Sequence, residues 1–200
     1  MSVQVFAEDN DGKLEESTRV RVNGKDLNLT GVPGMAARVA GAKHVVLTEQ
    51  DDLLRLMHVN LAANAEVLRL PSGEEFDTDV ENKGAIVARP LSWGVQETKE
   101  YLEKFKAEQV DVVLSCDCIY EPLYGTSWRE LAQTMELLCL ANPKCVILMG
   151  VERRNADGID KFLAFVETTT QLECRLDEQT MGTNNNRLEV YYLGLPTADE

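Results

Sequence analysis

Short apolar runs alternate along the chain with longer stretches in which apolar positions recur every three or four residues. The runs predict strands and the stretches predict helices. Residues 3–6 alternate as a strand, and residues 8–12 read as a polar turn. Residues 18–22 alternate again. Asn23-Gly24 is a two-residue hairpin signal, with residues 25–29 as the return strand. Gly31, Pro33 and small residues then open a short helix that ends near Ala40. Residues 44–48, His-Val-Val-Leu-Thr, form a buried strand that ends in Glu49.

Residues 51–65 carry apolar side chains at Leu53, Leu54, Met57, Leu61 and Ala62, the spacing of a helix facing a sheet, with His58 at its boundary. Residues 70–84 are polar and read as a loop. Residues 85–88 form a third short strand, which leads through Pro90 to Leu91-Ser92-Trp93-Gly94. A charged surface helix over 97–108 precedes the Val-rich strand 110–115. A long helix over 126–141 is capped by Thr126 or Ser127 and stopped by Pro143. Strand 144–150, helix 157–170, strand 172–176, a polar hairpin loop over 177–186 and a final strand over 187–195 complete the pattern. Alternation of strands and helices predicts an α/β fold with parallel crossovers. The two closing strands, with no helix between them, predict an antiparallel strand inserted at the end.

Composition narrows the function. Two hundred residues, 44% apolar and 27% charged, suit one globular domain with a sizeable core. The net charge of -14 argues against nucleic-acid and anionic-membrane binding, and is compatible with a basic protein or peptide partner. Five cysteines, an odd count without a C-x-x-C pair, read as reduced thiols. Two histidines leave little material for a zinc site or a histidine-based triad. With no signal pattern at the N-terminus and no apolar run of membrane-spanning length, the expectation is a cytoplasmic or nuclear protein.

The candidate chemistry lies where the strand 110–115 ends. The sequence there is Cys116-Asp117-Cys118-Ile119-Tyr120. Asp117 alone can be a turn residue or a helix cap. Paired with Tyr120 just past a buried strand, it can also present a carboxylate and an aromatic face at one cleft, since open α/β sheets bind ligands at their carboxyl ends. That pair suits an amine or another cation. Glu49, at the tip of the strand after the Gly31 loop and helix, stands where nucleotide-binding folds hold ribose hydroxyls; it reads equally as an acid favoured by the next helix dipole. Trp93 can be core or can stack on a planar ring.

These segments resemble the class I S-adenosylmethionine-dependent methyltransferases, and most closely the methyltransferase-like 21 group of protein-lysine methyltransferases. The matching stretches are residues 31–37, residues 42–50, the helix through Asn60 and Asn64, Leu91-Ser92-Trp93-Gly94, Asp117-Cys118-Ile119-Tyr120 and Glu152-Arg153. The resemblance implies a Rossmann-like, mostly parallel sheet with an antiparallel C-terminal strand after an N-terminal β-hairpin. It implies a single domain over residues 1–200, with a hairpin region to 29 and a core over 30–196. It implies S-adenosylmethionine as cofactor, held by Gly31, Glu49, Trp93 and the Cys116 backbone. Asp117 and Tyr120 would line the lysine channel as the catalytic pair, with no metal. The implied partner is a lysine-bearing protein such as a chaperone, an ATPase or a translation factor, met by a monomer. A catalytically impaired binding module and a small-molecule N-methyltransferase on the same fold stand as alternatives.

One stretch departs from the family. Its members carry Glu-x-Gly-x-Gly-x-Gly at the end of the central first strand. Here Lys25-Asp26-Leu27-Asn28-Leu29-Thr30 precede Gly31, and only that glycine and Gly34 remain. The chain passes from the hairpin into the end of the motif, as if an internal segment were absent. Residues 25–29 are then the candidate substitute for the central strand, with Leu27 and Leu29 at glycine positions.

Overall fold

The structure, a computed structural model, describes residues 2–7, 19–22, 25–28, 31–68, 86–106, 109–182 and 186–196. The chain divides into two compact units, Met1–Leu91 and Ser92–Glu200.

In the first unit, β1 (Ser2–Ala7), β4 (His44–Glu49) and β5 (Ile86–Pro90) run parallel in the order β5-β4-β1. The expected buried strand is there: Val45, Val46, Leu47 and Thr48 of β4 are all buried. The hairpin is there too, as β2 (Arg19–Val22) and β3 (Lys25–Asn28) pair antiparallel from Val22 opposite Lys25 to Arg19 opposite Asn28. That pairing corrects one expectation. Residues 25–28 do not enter the large sheet; they stay in a separate two-stranded sheet, and β1 is the strand beside β4. The two-residue connection between β2 and β3 favours the local partner, because closing a short loop costs little entropy.

Helix α1 (Val32–Val39) buries Met35. The next helical stretch starts as a 3-10 turn, Asp51–Leu53, and continues as α2 (Leu54–Ala63) and α3 (Ala65–Leu68). Leu54, Met57 and Leu61 are buried as their spacing predicts, but Leu53 and Ala62 are exposed. Leu53 lies in the tighter-wound opening turn, which breaks the helical phase assumed for it. The polar loop expected over 70–84 falls outside the described residues.

The second unit holds α4 (Val95–Lys104), β6 (Val112–Cys116), α5 (Glu121–Tyr124), α6 (Trp128–Ala141), β7 (Val146–Glu152), α7 (Ile159–Thr169), β8 (Glu173–Met181) and β9 (Arg187–Gly194). β6 and β7 are parallel. β9 lies antiparallel between β7 and β8, the inserted closing strand. The core is built from Leu131, Met135 and Leu138 of α6, Phe162 and Val166 of α7, and Ile147, Met149 and Leu193 of the sheet. β8 runs to Met181, so the closing loop is shorter than the expected 177–186. β6 is less enclosed than its apolar run predicts: Val113 and Ser115 are buried, whereas Cys116 at its end is exposed. All five cysteines are unbridged. The fold is mixed α/β, mostly parallel, with an antiparallel strand near the C-terminus.

Candidate active site

β6 and β7 finish side by side, with Cys116 opposite Gly150. Parallel register brings the residues just beyond the two strands together, although more than thirty positions separate them. Asp117 turns the chain at once. Its φ of 57° is left-handed, a conformation Asp tolerates better than most residues. Its N–H donates to the Gly150 carbonyl at 2.8 Å, and its Oδ1 accepts the Glu152 N–H at 3.3 Å. Asp117 is thus tied to the end of β7 through both backbone and side chain.

The other carboxylate oxygen, Oδ2, is hydrogen-bonded and ion-paired to Nη2 of Arg154. The same nitrogen reaches Glu152 Oε2 at 2.7 Å, and the guanidinium lies over the Tyr120 ring at 5.2 Å from its centre. Asp117 and Tyr120, picked from the sequence as a pair that would take a cation, therefore do share one. The cation is the chain's own. Burial works against the charge on Arg154, but the bonds to Asp117 and Glu152 more than offset it, and its pKa is raised. Glu152 is pulled below its ordinary value, first by the Asn186 amide on Oε1 at 2.8 Å and then by Arg154.

Residues that drew no attention in the sequence hold this corner in place. Asp157 is buried and accepts the Arg154 N–H at 2.9 Å and the Ile159 N–H at 2.9 Å, while the Arg153 guanidinium approaches to 3.6 Å. Its carbonyl takes the Glu121 N–H at 2.9 Å, which joins the turn after β7 to the start of α5. Glu121 accepts from the Trp128 indole at 3.1 Å and from Lys161 at 2.5 Å, and the two contacts lower its pKa, the Lys161 bond most. Gly158, with φ 89°, lets this approach happen: a Cβ there would lie 2.8 Å from Glu121 Cγ. The signal for Asp157 was legible as Asp-Gly before a helix, an Asx-type turn. Nothing in the spacing marks Glu121 or Arg154.

The residues expected to hold a cofactor fall in both units. Trp93 is half-buried in the turn before α4. That turn is fixed by Gly94, whose N–H donates to Thr134 Oγ1 at 2.9 Å and whose carbonyl accepts the Thr98 hydroxyl at 2.6 Å. The Cys116 carbonyl accepts from the Cys118 thiol at 3.6 Å. In the first unit, Glu49 ends β4 half-buried, and its Oε1 accepts the Gln50 N–H at 2.8 Å. Gly31 precedes α1 with φ 75°, and a Cβ there would meet Met57 Sδ at 2.8 Å and Leu47 Cδ1 at 3.0 Å. The missing side chain at Gly31 therefore serves close packing of loop, strand and helix, the role of the third glycine in dinucleotide-binding turns.

A model of the family described as lysine methyltransferase matches residues 28–169. The chain belongs to the lysine methyltransferase family. The resemblance carried by the Gly31, Trp93 and Asp117–Tyr120 segments holds at that level. A protein of Plasmopara viticola named Secreted RxLR effector protein 48 is 70% identical over 166 residues, which are 83% of this chain and 81% of that protein. Its name carries secretion, and this overturns the expected cytoplasmic or nuclear location. Unbridged thiols show that no disulfide framework holds the fold; they do not fix where a protein is sent.

Among solved structures, a protein of the NADB-Rossmann superfamily from Streptococcus agalactiae is similar at TM-score 0.44 and 12% identity, over 85% of this chain. This chain spans 60% of that protein's length. A 16S rRNA (adenine(1408)-N(1))-methyltransferase variant from Catenulisporales acidiphilia is similar at TM-score 0.35 and 10% identity, over 92% of this chain and 100% of that one.

Proposed function

We propose that this family member is an S-adenosylmethionine-dependent methyltransferase that modifies a lysine side chain of a protein. The observation that carries the lysine reading is the seat of Arg154: a nitrogen cation held by the Asp117 carboxylate and the Tyr120 ring at the carboxyl end of β6. A corner that takes a guanidinium in this way has the groups to receive an alkylammonium. Glu49 has the chemistry to hold ribose hydroxyls, and Trp93, on a turn pinned to Thr98 and Thr134, to face adenine. When bound, the cofactor would supply an electrophilic methyl carbon. Asp117 and Tyr120 would orient the substrate nitrogen, which must reach the carbon neutral and aligned more than it needs a strong base. The name of the Plasmopara viticola relative leads us to read this chain, too, as secreted, with methylation as its effect on a target protein.

A second reading, a methyltransferase fold that binds without turning over, draws on one observation. The space beside Gly31 is filled by Met57 and Leu47, and the other glycines of the family motif are absent.

Label transfer separates the two. The chain, isotopically labelled S-adenosylmethionine and a mixed protein extract are incubated, and the proteins are hydrolysed. The proposal expects labelled methyl-lysine, lost with Asp117→Asn and sharply reduced with Tyr120→Leu. Label on another amino acid, or label that persists in Asp117→Asn, contradicts it.

A further inference from the structure

We infer that Arg154 is the gate of the amine corner: an internal cation that occupies the seat of the substrate nitrogen and yields it by retreating onto Glu152. The inference rests on the reading of Asp117 and Tyr120 as the groups that take the substrate amine.

The geometry supplies the parts of a two-position gate. One Arg154 nitrogen, Nη2, bridges both carboxylates, so it can leave Asp117 and keep Glu152. Glu152 is itself a fixed post, since Asn186 holds its second oxygen. The backbone of Arg154 is anchored through its N–H to Asp157, which leaves the side chain as the moving part. The corner is also reachable: the Arg154, Asp117 and Glu152 side chains are 26%, 37% and 24% exposed.

Charge gives the direction. Asp117 and Glu152 share one guanidinium between two carboxylates, so the trio carries a net charge of about -1 and still attracts a cation. An arriving lysine would pair with Asp117 while Arg154 stays paired with Glu152, and neither carboxylate would be left alone. Arginine suits the gate better than lysine would. Its planar fork can hold two partners and lie over a ring, and it remains protonated, so it is a poor methyl acceptor in its own site.

The test uses the full chain and a small amine, Nα-acetyl-lysine methylamide, followed by NMR titration. Norleucine of the same blocking serves as the uncharged control. Displacing an internal cation that fills the seat most of the time lowers apparent affinity by the fraction of seats open, so Arg154→Ala should bind the amine about tenfold more tightly. Glu152→Gln, which removes the retreat, should bind it more weakly than wild type, and the Arg154→Ala/Glu152→Gln pair, which keeps the wild-type net charge of about -1, should still bind it more tightly than wild type. Asp117→Asn in the Arg154→Ala background should abolish binding. Arg154→Met keeps the aliphatic stem and gives the same reading if Arg154→Ala proves unstable. Unchanged or weaker amine binding by folded Arg154→Ala or Arg154→Met overturns the gate, as does tighter binding of the norleucine control alone. S-adenosylmethionine titrated into the same samples keeps the two claims apart: absent cofactor binding counts against the methyltransferase reading, whereas the amine series decides the gate.

Discussion

The two units close the turns that lead into their helices in different ways. In the first, the turn before α1 is closed by apolar contact: Gly31 has no side chain because Met57 and Leu47 fill that space. In the second, the turns after β6 and β7 are closed by charge, through Asp117, Glu152, Arg154, Asp157 and Glu121, with donors drawn from distant parts of the sequence. Apolar closure makes a tight joint with few polar groups to offer a ligand. Charged closure makes a joint that holds its shape and can also exchange one cation for another. The corner around Arg154 is thus firmly built from charged groups, whereas the turn at Gly31 is a packing joint.

The largest effect should come from breaking the charged closure at its buried member. Asp157→Ala leaves the Arg154 and Ile159 N–H groups without their acceptor and takes one of three carboxylates from Arg153, and should cost about 3–4 kcal/mol, read from denaturant unfolding. Gly31→Ala attacks the apolar closure. A Cβ at positive φ, pressed against Met57 and Leu47, should cost about 2–3 kcal/mol in the same measurement. If Gly31→Ala were silent, the apolar joint would be loose and the contrast between the units would fall.

Much of this was legible. The apolar runs marked β4, β6 and β7, and Asn23-Gly24 marked the hairpin, because burial and turn chemistry are local. The place of residues 25–28 was misjudged because a family pattern was set against a strong local turn, and the turn won. α5 was missed because four residues around Pro122 carry no periodicity. Asp117 and Tyr120 were legible as a cation-binding pair, but not their occupant. Glu152-Arg153-Arg154 offers two arginines, and only the register of β6 on β7 decides that Arg154 meets Asp117 while Arg153 turns to Asp157, Asp160 and Glu189.

Smaller effects sharpen the comparison. Thr134→Val leaves the Gly94 N–H buried without its acceptor, and should cost about 1–2 kcal/mol while loosening the turn that carries Trp93. Tryptophan fluorescence should then shift even where the melting temperature falls little. The smallest effect is a pH dependence. Glu152 lies below its ordinary value of 4.5 in the folded chain because Asn186 and Arg154 favour its charge. A depressed folded-state pKa gives stability that is present above the unfolded value and is lost as pH falls through the folded one. Melting temperature should therefore decline with acidification below about pH 4.5, and Glu152→Gln should flatten part of that slope. A slope unchanged by Glu152→Gln would remove Glu152 from the charged closure.

The most direct test of the central claim, a methyltransferase whose cofactor side has lost most of its glycines, is calorimetric titration of S-adenosylmethionine into the purified chain, with Glu49→Ala and Trp93→Ala beside it. Binding by the wild type that is lost in both variants is the predicted result, and would show that Glu49 and Trp93 hold the cofactor with only Gly31 and Gly34 left at the motif. A folded wild-type chain that takes up no S-adenosylmethionine would contradict the claim.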